Sequence, residues 1–150
     1  MIYDKLVGSY KEILEAAFGA SALAMIGTLL VIFIIVALAV YVYTAWAWMT
    51  IGNKLKYKKS WLAWIPIANI AMILQLGGFH WAWVFLVVVP IAGWIALAVL
   101  TIIATWHIYE KRDYPGWLSL IQIGNFIPFI SWIAGIANLV ILGLVAWLDR

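Results

Sequence analysis

Charged positions in this chain fall in clusters, and the gaps between them set its class. No Asp, Glu, Lys or Arg occurs in residues 16–53, 60–109 or 114–148, stretches of 38, 50 and 35 residues. A helix needs about 20 consecutive apolar residues to cross the hydrocarbon core of a bilayer. The first stretch predicts a span over 23–48, whose centre, Leu29–Val40, is built from Leu, Val, Ile, Ala and Phe. The second predicts a hairpin of two spans, 61–77 and 81–108, turning at Gly77-Gly78-Phe79-His80, the strongest breaker signal there. Pro90 and Gly93 predict a kink in the later of these spans. The third predicts a span over 117–147, broken near 125–128 by Asn125 and Pro128. Ahead of them, Ile2, Tyr3, Leu6, Tyr10, Ile13, Leu14 and Ala17 recur at helical spacing among Asp4, Lys5, Lys11, Glu12 and Glu15. That pattern predicts an amphipathic helix over 2–18, on the membrane or against a partner. The expected fold is all-α: a polytopic bundle of about four transmembrane helices. Residues 1–20 form an N-terminal amphipathic segment and 21–150 a single transmembrane domain.

An internal repeat runs through the second half, units 61–112 and 117–150. Trp61-Leu-Ala-Trp-Ile-Pro-Ile-Ala-Asn69 aligns without gaps on Trp117-Leu-Ser-Leu-Ile-Gln-Ile-Gly-Asn125. Pro90-Ile-Ala-Gly-Trp-Ile-Ala96 likewise aligns on Pro128-Phe-Ile-Ser-Trp-Ile-Ala134. Pro66, Pro90 and Pro128 are the expected helix breaks. The second unit reads as the first with residues 70–89 shortened to Phe126 and Ile127. Trp117–Asn125 is therefore open to being re-entrant, interfacial or part of a straight span. Broken helices in repeated units occur in many transporters, and duplication of a packing unit gives the same pattern.

The paired Trp-x-x-x-Ile-Pro-Ile-x-Asn elements, with Tyr114-Pro115-Gly116-Trp117 before the second, resemble a family of small polytopic prokaryotic membrane proteins of unknown function. The resemblance covers about residues 45–150. It implies a multi-span membrane domain and carries no catalytic residue. Gln122 stands where the motif has Pro.

Composition agrees with a lipid environment: 68% of residues are hydrophobic and 10% charged, against about 25% charged in soluble domains. The formal net charge of +3 does not point to nucleic acid, because the cations are concentrated. Lys54, Lys56, Lys58 and Lys59 share one loop, and Lys111 and Arg112 another, six of nine basic residues in all. Under the positive-inside rule both loops are cytoplasmic. An even number of crossings then separates them, the termini lie outside, and the protein is a multi-pass cell-membrane protein whose first partner is the lipid bilayer. Trp46, Trp48, Trp61, Trp64, Trp106 and Trp117 fall near the predicted inner face, and Trp81, Trp83 and Trp147 near the outer. Trp94 and Trp132 fit neither belt. The mixed-charge start is expected to be retained rather than cleaved as a signal peptide. There is no cysteine, which excludes disulfides and thiol chemistry.

Chemistry is sparse. The predicted spans hold no carboxylate, Lys or Arg, which an ion-coupled pump needs. His80 and His107 lie 27 residues apart, about 40 Å along one helix, too far to share a metal. No cofactor, metal site or catalytic set is expected, so the chain is not expected to be an enzyme. The polar residues left in the spans are Asn69, Gln75, Gln122, Asn125 and Asn138. They suit either a pore lining or hydrogen bonding between helices. The leading expectation is a protein that acts through assembly, as a homo-oligomer or with a membrane-protein partner. Ala16, Ala20, Ala24 and Thr28, and Ser131 with Gly135, provide small-residue faces for it. The alternatives are a channel or facilitator for water or a small neutral solute, and a surface tether using the N-terminal helix.

Overall fold

The computed structural model describes residues 1–149 and is all-helical, with no strand among them. The repeat unit 117–150 and the domain 21–150 both end on residue 150, outside the described residues. Four α-helices are present: α1 (Ile2–Lys54), α2 (Pro66–Leu76), α3 (Ala92–Lys111) and α4 (Ser131–Trp147). Each of the last three follows a 3-10 helical limb, at Ser60–Trp64, Trp81–Val88 and Gly116–Phe126. α1 and α3 are long and apolar enough to cross a membrane, while α2 and α4 are shorter apolar helices.

The chain divides into two compact units, Met1–Tyr41 and Val42–Arg150. The amphipathic segment 2–18 and the span 23–48 expected separately are parts of one helix, α1. Nothing in the sequence breaks it, since Gly8, Gly19 and Gly27 are isolated and cost only about 1 kcal/mol each in a helix. Every residue of the first unit is exposed.

The second unit is three hairpins, each a 3-10 limb followed by an α-helix running back. In the first, Ser60 packs on Gly52 of α1 and Trp64 Nε1 reaches Met49 Sδ at 3.4 Å, so the limb runs against the direction of α1. Ile65 is extended (φ −106°, ψ 116°) and Pro66 opens α2, where its missing N–H and fixed φ suit the first helical position. α2 then returns, with Met72 against Gly52 and Gln75 accepting a hydrogen bond from the Tyr57 hydroxyl.

The second hairpin starts where Phe79 meets His107, ring centroids 6.3 Å apart. Its limb runs along α3 to Val87, whose carbonyl accepts from Trp94 Nε1 at 2.9 Å. The chain reverses through Val89, Pro90 and Ile91 into α3. Gly93 lets the limb close on the helix: a Cβ there would lie 2.0 Å from the Leu86 carbonyl oxygen. The third limb starts with Gly116 against Trp106, passes Gly124 against Ala134, and reverses at 127–130 into α4. α4 runs parallel to the end of α1, with Tyr43 donating to the Leu139 carbonyl at 2.8 Å and Lys54 pairing with Asp149 at 2.7 Å.

All four α-helices therefore end together, at Lys54, Leu76, Lys111 and Trp147. The buried core gathers toward this end, around Ile51, Met72, Leu74, Ala104, Ile108, Tyr109 and Val145. The reversals around Pro66, Pro90 and Pro128 lie away from it and are exposed.

This arrangement corrects several expectations. The Gly77–His80 turn is not opposite the basic loops. The Gly77 carbonyl accepts from His107 Nδ1 at 3.0 Å, and Lys111 donates to the Leu76 carbonyl. Segments 61–77 and 81–108 are thus hairpins and not straight spans, and Pro90 marks a reversal and not a kink. The break expected near 125–128 is present, as a reversal over 127–130. His80 and His107 are not about 40 Å apart, because the chain between them doubles back and places Phe79 on His107. Trp147 does not lie opposite Trp46, since their rings meet edge-on at 6.1 Å.

Candidate functional site

The end shared by the four helix C-termini is the most highly organised polar region. The last carbonyls of an α-helix lack intrahelical partners and carry the negative end of its dipole. Here cations from the sequence's basic loops meet them. Lys111 and His107 bind the carbonyls ending α2. Arg112 donates to the Val145 carbonyl through Nε (3.2 Å) and Nη2 (3.1 Å), and to Asp149 at 2.9 Å. Its side chain is 13% exposed. Tyr114, buried, shares its one hydroxyl proton between the Leu144 and Leu148 carbonyls, at 3.2 and 3.1 Å. Asp149 joins Lys54 and Arg112, and hydrogen bonds from both hold its carboxyl below the usual carboxylate range. Burial raises the Tyr57 hydroxyl above its ordinary pKa.

Of the six loop cations, Lys111 and Arg112 are engaged with helix-end carbonyls and Lys54 with Asp149. Lys56, Lys58 and Lys59 point outward, with no ion pair among the described residues. Sequence reasoning missed Tyr114 and Tyr43. Both are aromatic residues whose hydroxyls seek backbone acceptors when buried, but only the fold shows which ones.

The five amides do not form one path. Gln122 and Asn125, with Thr101, line a cleft of about 400 Å³ whose other walls include Trp94, Leu97 and Ile70, the neighbour of Asn69. Thr101 is otherwise a backbone partner, its carbonyl accepting from the Thr105 hydroxyl at 2.7 Å. Gln75 is held by Tyr57 at the basic end, and Asn138 sits half-buried on α4. Asn69 and Asn125, equivalent in the sequence repeat, differ in setting. Asn69 lies in the first turns of α2, its Oδ1 buried without a partner. Asn125 lies in the last turn of a 3-10 limb, beside Gly135. A second groove, of about 550 Å³, is apolar throughout, walled by Leu120, Ile123, Ile127, Ile130, Ile133 and Ala137 among others.

No group of three or more His, Asp or Glu side chains is placed to hold a metal ion among the described residues. Comparison with protein-family models, with curated proteins and with solved structures finds no match.

Proposed function

We propose that this is a non-enzymatic integral membrane protein that acts through assembly, as a homo-oligomer or as an accessory subunit of a membrane-protein partner. The observation that carries the reading is the first unit. Residues 1–41 are helical after Met1 and exposed throughout, and they include an uncharged run from Ala16. Lipid covers such a surface, and the ladder Ala16, Ala20, Ala24 and Thr28 permits close approach of another helix. Thr28 already bonds its own backbone at Ala24, 2.9 Å away, so its methyl and the alanines present a smooth face. We assign the loops bearing Lys54–Lys59 and Lys111–Arg112 to the cytoplasmic side by the positive-inside rule. We read the second unit, from Val42 on, as one membrane domain, which is what the resemblance over about residues 45–150 would imply. The charge gaps alone suit about four crossings. The reversals at the three prolines favour fewer.

Cross-linking in native membranes tests the proposal. Discrete oligomers or a reproducible partner are expected, weakened by Ala20→Leu. Recovery of monomer alone, with no partner, sinks it.

One observation favours a second reading, a facilitator for a small neutral solute: Gln122, Asn125 and Thr101 share one cleft. Proteoliposome flux of water and small solutes, compared between wild type and Asn125→Leu, separates the two. Absence of flux in both removes this second reading.

A further inference from the structure

The geometry points to a one-sided mode of membrane insertion for residues 42–149: the three hairpins enter a bilayer from the face where the basic loops lie, and their tips end inside it without reaching the other face. The inference rests on the membrane reading above and commits to one occupant for the exposed tips, the acyl region of the bilayer.

Four observations carry it. First, reach. At about 2.0 Å rise per residue in a 3-10 helix, the limbs extend about 10, 16 and 22 Å. From its start at Ser131 to the basic end at Trp147, α4 rises about 25 Å at 1.5 Å per residue. A bilayer's hydrocarbon core is about 30 Å thick. α3, from Ala92 to Lys111, rises about 30 Å on the same rule, so the first and third tips stop short of the far headgroups and the second ends at the far edge of the hydrocarbon core.

Second, the tips are apolar and exposed. Val88 is 76% exposed, Ile91 73% and Phe129 86%. No charged residue lies between Ser60 and Tyr109, or between Tyr114 and Leu148. A reversal emerging into water would be expected to carry the polar turn residues that loops favour. These carry Ile65-Pro66-Ile67, Val88-Val89-Pro90-Ile91 and Phe126-Ile127-Pro128-Phe129-Ile130.

Third, backbone bonding. Irregular backbone at membrane depth must find partners for its N–H and C=O groups. Each tip contains a proline, which has no N–H to satisfy. The flanking groups pair within the tip: Ile65 N with Leu62 O at 3.1 Å, Val89 N with Leu86 O at 3.0 Å, and Ile127 N with Gly124 O at 3.2 Å. The fourth proline, Pro115, stands at the basic end, where the third limb begins.

Fourth, the loop charges sit at one end, with part of the indoles. All four helix C-termini and the six loop cations are gathered there, and Lys56, Lys58 and Lys59 are free to meet lipid phosphates. Trp147 meets Trp46 there, and Trp106 bonds Glu110 at 2.6 Å. Trp94 and Trp132 follow Pro90 and Pro128 by four residues each, beside the tips.

The chain has no cysteine, so single cysteines in the full-length protein report position without background. Lys58→Cys, Ala82→Cys, Val88→Cys and Phe129→Cys replace exposed residues. In sealed vesicles of known orientation, a membrane-impermeant maleimide should label positions 58 and 82 from the same side. Positions 88 and 129 should label from neither side until detergent is added. A nitroxide at 129 should be accessible to oxygen over a water-soluble nickel complex, and one at 58 the reverse. Labelling of position 82 from the side opposite 58, or of 88 or 129 from the far side, overturns one-sided insertion while leaving the chain a membrane protein. Release of the whole chain by alkaline carbonate overturns the membrane reading itself, and the inference with it.

Discussion

Two aligned nine-residue segments that share five residues fold differently here. Trp61–Asn69 makes one turn of 3-10 helix, an extended residue at Ile65, and then the start of α2 at Pro66. Trp117–Asn125 stays 3-10 throughout, and its reversal waits until Pro128. Between the copies, five positions are identical and four differ: Ala63/Ser119, Trp64/Leu120, Pro66/Gln122 and Ala68/Gly124. Proline disfavours the helical region for the residue before it and is favoured as the first residue of a helix. Its position therefore decides where each limb turns. A sequence repeat need not be a structural repeat when the breaker has moved.

Converting the second copy into the first, one residue at a time, tests this reading. The largest effect is expected from Gln122→Pro. It forces Ile121 toward the extended form of Ile65 and removes a bond inside the limb, at about 3 kcal/mol or more. A fall in the thermal midpoint in detergent of several degrees is expected; an unchanged midpoint would mean that the third limb is not held in its 3-10 form.

Gly124→Ala comes next. A Cβ at this position would lie 2.7 Å from the Ala134 Cβ, and overpacking of this kind costs about 1–3 kcal/mol. The equivalent Ala68 is tolerated because α2 has already turned away. If Gly124→Ala matched wild type in the same melt, the close approach of limb and α4 would be refuted.

Ser119→Ala should act in the opposite direction. Ser119 is fully buried with its hydroxyl unpartnered, while its counterpart Ala63 is equally buried. Removing an unsatisfied hydroxyl should recover about 1 kcal/mol, seen as a raised midpoint. A lowered one would show that the hydroxyl has a partner after all.

The smallest effect concerns Asp149, where the third hairpin meets α1. Its pKa is depressed by Lys54 and Arg112, so the folded state favours the carboxylate. That contribution is present above the ordinary carboxylate pKa and is lost as pH falls through the folded value. The wild-type midpoint should decline over that acid window more than that of Asp149→Asn. Parallel pH profiles would show that the ion pair adds nothing to stability.

Much of this is legible in the residues themselves. The charge gaps marked helical, uncharged segments because lipid-compatible helices must be long and apolar. The basic loops were found because cations are rare and clustered. Pro66, Pro90 and Pro128 stand out as breaks because proline's geometry is local. The direction of the chain after each break was not legible. A proline that kinks a straight helix and one that reverses a hairpin leave the same apolar pattern on either side.

What the sequence alone determined is therefore local: helix, apolar surface, breakers and the sites of charge. What only the tertiary structure decided is which ends meet. Gly77 lies beside Ala104 and His107, and Asp149 beside Lys54 and Arg112. Those meetings come from packing among residues far apart in the chain. They turn an expected row of crossings into three hairpins sharing one charged end.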